Sequence, residues 1–297
     1  MSIRPVKRII ESTPTTEGAG VKLRRAFGFG NTEEFDPFLL LDDFRNERPD
    51  DYLRGFPWHP HRGIETITYV LAGSVAHGDS LGNQGTLGAG DVQWMTAGSG
   101  IMHQEMPRGD ERGRMHGFQL WSNLPAALKM TKPRYQDIAA KDVAEITDDD
   151  GTIVRVVVGE FWGKKGPVEG VASDPRYLDV FVPPLRAKTL PIDYRHNAFA
   201  YVFDGSGNFR SASKLFGVLT EKEDDSIVRE TTGNRSLVVF DAGDEVTVQA
   251  GEQGIRFLLV SGKPIEEPVA WYGPIVMNTQ DELRTALSDL QRGTFIR

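Results

Sequence analysis

Along the 297 residues, apolar side chains come in short runs, some continuous and some alternating with polar ones, each broken by turn residues. The clearest runs are Glu65–Leu71, Asp91–Met95, Gly117–Trp121, Thr152–Val158, Leu178–Val182, Ala198–Phe203, Ser236–Phe240 and Ile255–Val260. Strands of this length, punctuated by 32 glycines and 17 prolines, predict an all-β sandwich or barrel. Helical periodicity appears only near the end. There Thr279-Gln-Asp-Glu282 makes a capping box, Leu283, Leu287 and Leu290 share one face of the helix that follows, and Gly293 stops it. This helix is expected to cover the open end of its own barrel.

The pattern also repeats. Ala89-Gly-Asp-Val-Gln-Trp-Met-Thr-Ala-Gly98 is answered by Ala242-Gly-Asp-Glu-Val-Thr-Val-Gln-Ala-Gly251, and upstream Tyr69-Val-Leu-Ala-Gly-Ser74 by Tyr201-Val-Phe-Asp-Gly-Ser206. Matches in the same order predict two copies of one barrel. Residues 1–130 are read as the first, 131–150 as a charged linker, and 151–297 as the second with the terminal helix.

Composition narrows the function. Apolar content of 39% and charged content of 26% describe a soluble globular protein. With 34 basic and 42 acidic side chains the net charge is −8, which argues against direct binding to a nucleic-acid backbone. The absence of cysteine removes thiolate metal sites, cysteine nucleophiles and iron–sulfur clusters together. Apolar runs such as Ala198–Phe203 are far shorter than a membrane span, and no signal peptide is read at the start. A cytoplasmic location is the expectation, with a nuclear one open if the chain is eukaryotic, and no membrane partner.

Against this background the histidines stand out. His59 and His61 lie two apart in Gly55-Phe-Pro-Trp-His-Pro-His-Arg-Gly63, and His103 and Glu105 two apart in Gly100-Ile-Met-His-Gln-Glu-Met-Pro107. Strand residues two apart share a face. On neighbouring strands the two pairs would bring three imidazoles and a carboxylate to one point, a donor set for iron, nickel, copper or manganese. A lone histidine is more often a hydrogen-bonded polar residue, and His77, His116 and His196 are read that way, with His116 equally placed to line the pocket or to pack near Trp121. His77 and Asp79 are read as stabilising their own turn. Counted from the repeat anchors, His59 and His61 correspond to Pro191 and Asp193, and His103 and Glu105 to Arg256 and Leu258. The second copy keeps no imidazole, so a shared folding role is disfavoured and the second barrel is expected to be metal-free.

These stretches, together with Gly90-Asp-Val-Gln-Trp-Met-Thr-Ala-Gly98, His116-Gly-Phe-Gln-Leu-Trp121 and the late Glu267-Pro-Val-Ala-Trp-Tyr-Gly-Pro-Ile-Val-Met277, closely resemble the pirin family of the cupin superfamily. The resemblance implies two tandem cupin barrels of jelly-roll type with a short C-terminal helix. It also implies Fe(II) in the first barrel, held by His59, His61, His103 and Glu105. Members have been associated with quercetin 2,3-dioxygenase activity and, in animals, with nuclear regulation of transcription. The implied partners are a small aromatic substrate such as a flavonol, together with O2. The alternative is an iron-dependent interaction protein or co-regulator acting through a protein partner. Ordinary cupins take their carboxylate from the position of Glu65, which has the strand parity of His59 and His61. The pirin resemblance favours Glu105, which is then both ligand and general base for the substrate proton. A third class, a barrel keeping metal for structure alone, fits an intact four-ligand set less well.

Overall fold

The computed structural model describes residues 2–209 and 231–296. It divides into two compact units, and the division does not follow the chain as expected. One unit comprises residues 12–143, 166–174 and 264–297; the other comprises 1–11, 144–165 and 175–263. A single linker at 131–150 therefore does not separate an N-terminal from a C-terminal half. Each unit recruits a segment from the far end of the chain.

In the first unit a seven-stranded antiparallel sheet runs Arg134–Ile138, Val92–Thr96, Ile64–Ala72, His116–Asn123, Phe38–Asp43, Val21–Phe27, Thr13–Glu17. A four-stranded sheet runs Phe56–His61, Ile101–Arg108, Ser74–Asp79, Gln84–Leu87. Thr68 of the larger sheet reaches Glu105 of the smaller, so both turn inner faces to a common interior. Ile101–Arg108 alternates buried and half-buried residues, with Ile101, His103, Glu105 and Pro107 inward. The alternation that elsewhere carries apolar groups here carries an imidazole and a carboxylate.

The helix forms as its capping box predicts, over Gln280–Arg292, with Thr279 and Glu282 reciprocally bonded and Gly293 left-handed at φ 72°. Its location corrects the expectation. Leu283 and Ala286 pack with Ala270, Ile275, Met277 and Phe295, all in the unit that carries the histidines.

Among the described residues the second unit is built on a nine-stranded sheet with the central order Val6–Glu11, Ser236–Phe240, Asn197–Phe209, Glu245–Gly262, Arg176–Val182, Ile153–Val158, Ala144–Thr147. Ala187–Pro191 pairs with the start of Glu245–Gly262, as Phe56–His61 pairs with Ile101–Arg108. The repeat is therefore real, but one of its anchors is out of step. The first Ala-Gly-Asp precedes Val92–Thr96, whose counterpart is Ser236–Phe240; the second precedes the counterpart of Ile101–Arg108. A Gly-Asp turn suits either entry, because Asp accepts backbone N–H groups wherever a strand begins. In the corrected register Leu190, Val246 and Val248 occupy the interior where the first unit has its histidine pairs.

Candidate metal centre

His59 and His103 stand directly opposite one another on paired antiparallel strands. His61 follows His59 on the same face. The three rings converge, with Nε2 of His59 lying 3.1 Å from Nε2 of His61 and 2.8 Å from Nε2 of His103. His59 Nδ1 donates to the Pro57 carbonyl at 2.9 Å, which leaves its Nε2 as a lone pair aimed into the cluster. That single lone pair faces two neighbouring nitrogens, so hydrogen bonding within the cluster does not satisfy all three rings. Imidazoles ligating one ion at about 2.1 Å stand roughly 3 Å apart at right angles, and the observed separations match. The donor set thus fits a divalent metal held by nitrogen.

Electrostatics points the same way. Burial lowers the pKa of His59. His61 and His103 are held well below the ordinary imidazole value, by burial first and then by repulsion from neighbouring histidines. All three are neutral ligands-in-waiting near neutral pH. Glu105 stands beside them, its Oε2 4.0 Å from His103 Nε2. Burial pushes its carboxyl up to about 7, against the hydrogen bond from Thr68 Oγ1 to Oε1 at 3.1 Å.

Glu65 is not brought to this point. Its Oε1 accepts from Thr96 Oγ1 at 2.7 Å, on the face of its strand opposite Thr68. The parity count fails because Arg62 and Gly63 intervene between Phe56–His61 and Ile64–Ala72, which lie in different sheets. Asp79 accepts from Leu81 N, Asn83 N and Asn83 Nδ2 and so holds its own turn as expected. His116 packs against Phe118 at 5.3 Å between ring centroids and is not among the residues lining the cavity.

His59, His61 and Glu105 line a cavity of about 650 Å³, a size ordinary for a small-molecule site. Trp58, Phe44, Leu40 and Trp121 contribute apolar wall, and Trp121 sets its ring edge-on to His61 at 5.1 Å. Trp271 and Pro274 line it from the C-terminal segment. Thr68, Gln119 and Arg25 also line it, and nothing in their local sequence marks them. For Thr68 the only available signal was strand parity within Ile64–Ala72.

Residues 20–122 match the pirin family, and residues 177–296 match the pirin C-terminal cupin domain. A pirin-like protein of Caulobacter vibrioides is 43% identical over 296 residues, covering 99% of this chain and 100% of its own length. The chain belongs to the pirin family. Another relative, a Pseudomonas aeruginosa protein provisionally named a quercetin 2,3-dioxygenase, is 40% identical and covers 98% of this chain and 97% of its own. The crystal structure of a quercetin 2,3-dioxygenase from Acinetobacter baumannii superposes with a TM-score of 0.85 at 31% identity, covering 99% of both chains. The two family matches account for the two barrels, and among the described residues the imidazole cluster lies within the first match. No helix among the described residues is long and apolar enough to cross a membrane.

Proposed function

We propose that this pirin is a dioxygenase of the quercetin 2,3-dioxygenase type, cleaving a flavonol with O2 in its first barrel. His59, His61, His103 and Glu105 would hold Fe(II). The observation that carries the reading is the convergence of three imidazoles, His61 and His103 buried and His59 half-buried, with a carboxylate beside an apolar-walled cavity. The activity borne by the Acinetobacter baumannii relative and provisionally assigned to the Pseudomonas aeruginosa one supports it.

When bound, iron supplies Lewis acidity for the enol oxygen and a redox partner for O2. The protein's own groups do the rest. Glu105, buried and hard to ionise, is a strong acceptor for the proton that a flavonol loses on becoming an enolate. Thr68 fixes Oε1 of that carboxylate and leaves Oε2 turned toward the histidines. Trp121 and the apolar wall hold a flat ring system and exclude water, so the electron-rich enolate is protected from reprotonation.

The test is anaerobic loading with Fe(II), then oxygen uptake and carbon monoxide release on adding quercetin, with His103→Ala as control. Metal-dependent uptake with carbon monoxide, lost in the variant, is the expected result. Iron bound tightly without turnover of quercetin would remove this substrate and favour a protein partner instead.

A further inference from the structure

The inner face of the seven-stranded sheet carries a row of polar side chains where its neighbouring rows are apolar. Arg25 pairs in register with Asp42, Asp42 with Gln119, and Gln119 with Thr68. These four successive cross-strand neighbours all line the cavity. The rows beside them contribute Leu40 and Trp121 on one side and Leu23 and Phe44 on the other to the same wall. Thr68 touches Glu105, so the row begins at the histidine end. With strands about 4.8 Å apart, three steps carry it roughly 14 Å across the sheet.

The row is hydrogen-bonded but not closed. Thr68 Oγ1 lies 3.1 Å from Glu105 Oε1 and 2.8 Å from Gln119 Oε1, and its single proton serves one of them at a time. With Gln119 Oε1 accepting from Thr68 Oγ1, the Gln119 amide nitrogen carries no bond to any described residue and is left as a donor. At the far end Asp42 accepts from Arg25 Nε at 2.8 Å and from Nη2 at 2.7 Å, and Glu17 takes Nη2 at 2.9 Å. Nη1 carries no bond to any described residue, and a guanidinium nitrogen in a ligand cavity is a donor for a hydroxyl or an anionic oxygen.

We propose that Arg25 and Gln119 determine substrate specificity, by selecting flat, elongated polyphenols that carry oxygen substituents away from the enol end. The two apolar rows grip the ring faces. The polar row between them reads the oxygens along one edge, with the Gln119 amide nitrogen donating to an oxygen near the centre and Arg25 Nη1 donating to one at the far end. An unsubstituted ring there would leave Nη1 and the amide facing apolar carbon without partners, which costs binding. The proposal rests on the flavonol reading and sharpens it.

The experiment compares quercetin with 3-hydroxyflavone, which has the same enol and ketone but no other hydroxyl. Dissociation constants are read from tryptophan quenching of the Fe(II)-loaded protein without oxygen, and kcat/KM from oxygen uptake. Wild type is expected to favour quercetin in both. The double variant Arg25→Met with Asp42→Asn removes the guanidinium together with the carboxylate that neutralises it. It is expected to cut the quercetin-to-3-hydroxyflavone ratio at least tenfold, at unchanged iron content. Gln119→Leu should cut it less. If the double variant fails to fold, Arg25→Lys keeps the charge without Nη1 and carries the same ratio. A wild type that does not discriminate, or a ratio within twofold of wild type in the variants, overturns the proposal while leaving flavonol cleavage standing. Failure of wild type to bind or cleave either flavonol overturns the parent reading instead.

Discussion

Thr68 illustrates what a single hydroxyl does in a buried polar site. Among the described residues its hydrogen bond is what opposes the burial that raises the Glu105 pKa. Thr68→Val should therefore weaken iron binding about 10- to 100-fold, the usual cost of losing a group that orients a ligand, whereas Thr68→Ser should restore most of it. Chelator competition measures both; equal affinities in wild type and the valine variant would remove Glu105 from the metal. Lys129 is a second case. It is 2% exposed, and its ammonium donates to Gly63 O, Asn123 Oδ1 and Val276 O at 2.8–3.0 Å. Burial pushes its pKa down from 10.5 to about 7. Between those values the unfolded chain binds more protons than the folded one, so stability rises with pH across that window and is lost as pH falls through 7. Urea unfolding at about pH 7 and about pH 9 should show this rise in wild type and not in Lys129→Met; matching slopes would mean that the ammonium stays charged. The histidine pairs were legible because ligand spacing and strand parity coincide there. Thr68 and Lys129 were not, since a lone Thr or Lys carries no mark of what it will face.

At the scale of elements, the strands and the terminal helix follow from periodicity and capping, and two misreadings trace to turns. Glu65 was counted in register with His61, yet Gly63 ends the parity. It is left-handed at φ 77°, and a Cβ there would overlap the Val276 carbonyl oxygen. Gly63→Ala combines backbone strain of about 1–3 kcal/mol with that collision, next to His61. It should lower stability by at least about 2 kcal/mol and release iron more readily, with both effects seen in one thermal melt with and without metal. A variant as stable as wild type would show that the turn adapts. The repeat was misread for a related reason. Tyr69-Val70 and Tyr201-Val202 occupy matching central strands, where packing fixes position. Ala-Gly-Asp marks only a turn, and turns of one kind recur at unrelated strand entries.

At the scale of the whole chain, the C-terminal segment is the least legible part and the one with the largest predicted effect. Its motif Glu267–Met277 stood out, but nothing in periodicity tells which barrel a distant segment joins. Arg62, 2% exposed, donates to Asp289 Oδ2 at 2.9 Å and to the Phe295 carbonyl at 2.8 Å, and its guanidinium lies over the Phe295 ring at 4.1 Å. The Arg62 carbonyl accepts from Val276 N at 3.0 Å. Lys129 uses Val276 as one of its three acceptors, and Trp271 and Pro274 close the cavity wall. Removing residues 264–297 would strip both acceptors of the Arg62 side chain and one of three from Lys129 beside the His61 turn, and leaving the Arg62 charge buried and uncompensated costs about 3–5 kcal/mol. That is a large fraction of a domain's stability, commonly about 5–15 kcal/mol. A chain ending at residue 263 should therefore fail to retain iron and should lose cooperative unfolding in the first barrel. Because the removed segment belongs to the unit that carries the histidines, the second barrel should keep its own melting transition. Calorimetry of the truncated chain, with iron content measured alongside, decides it. A truncated protein that still binds iron and melts in two steps would show that the histidine barrel closes without its C-terminal segment.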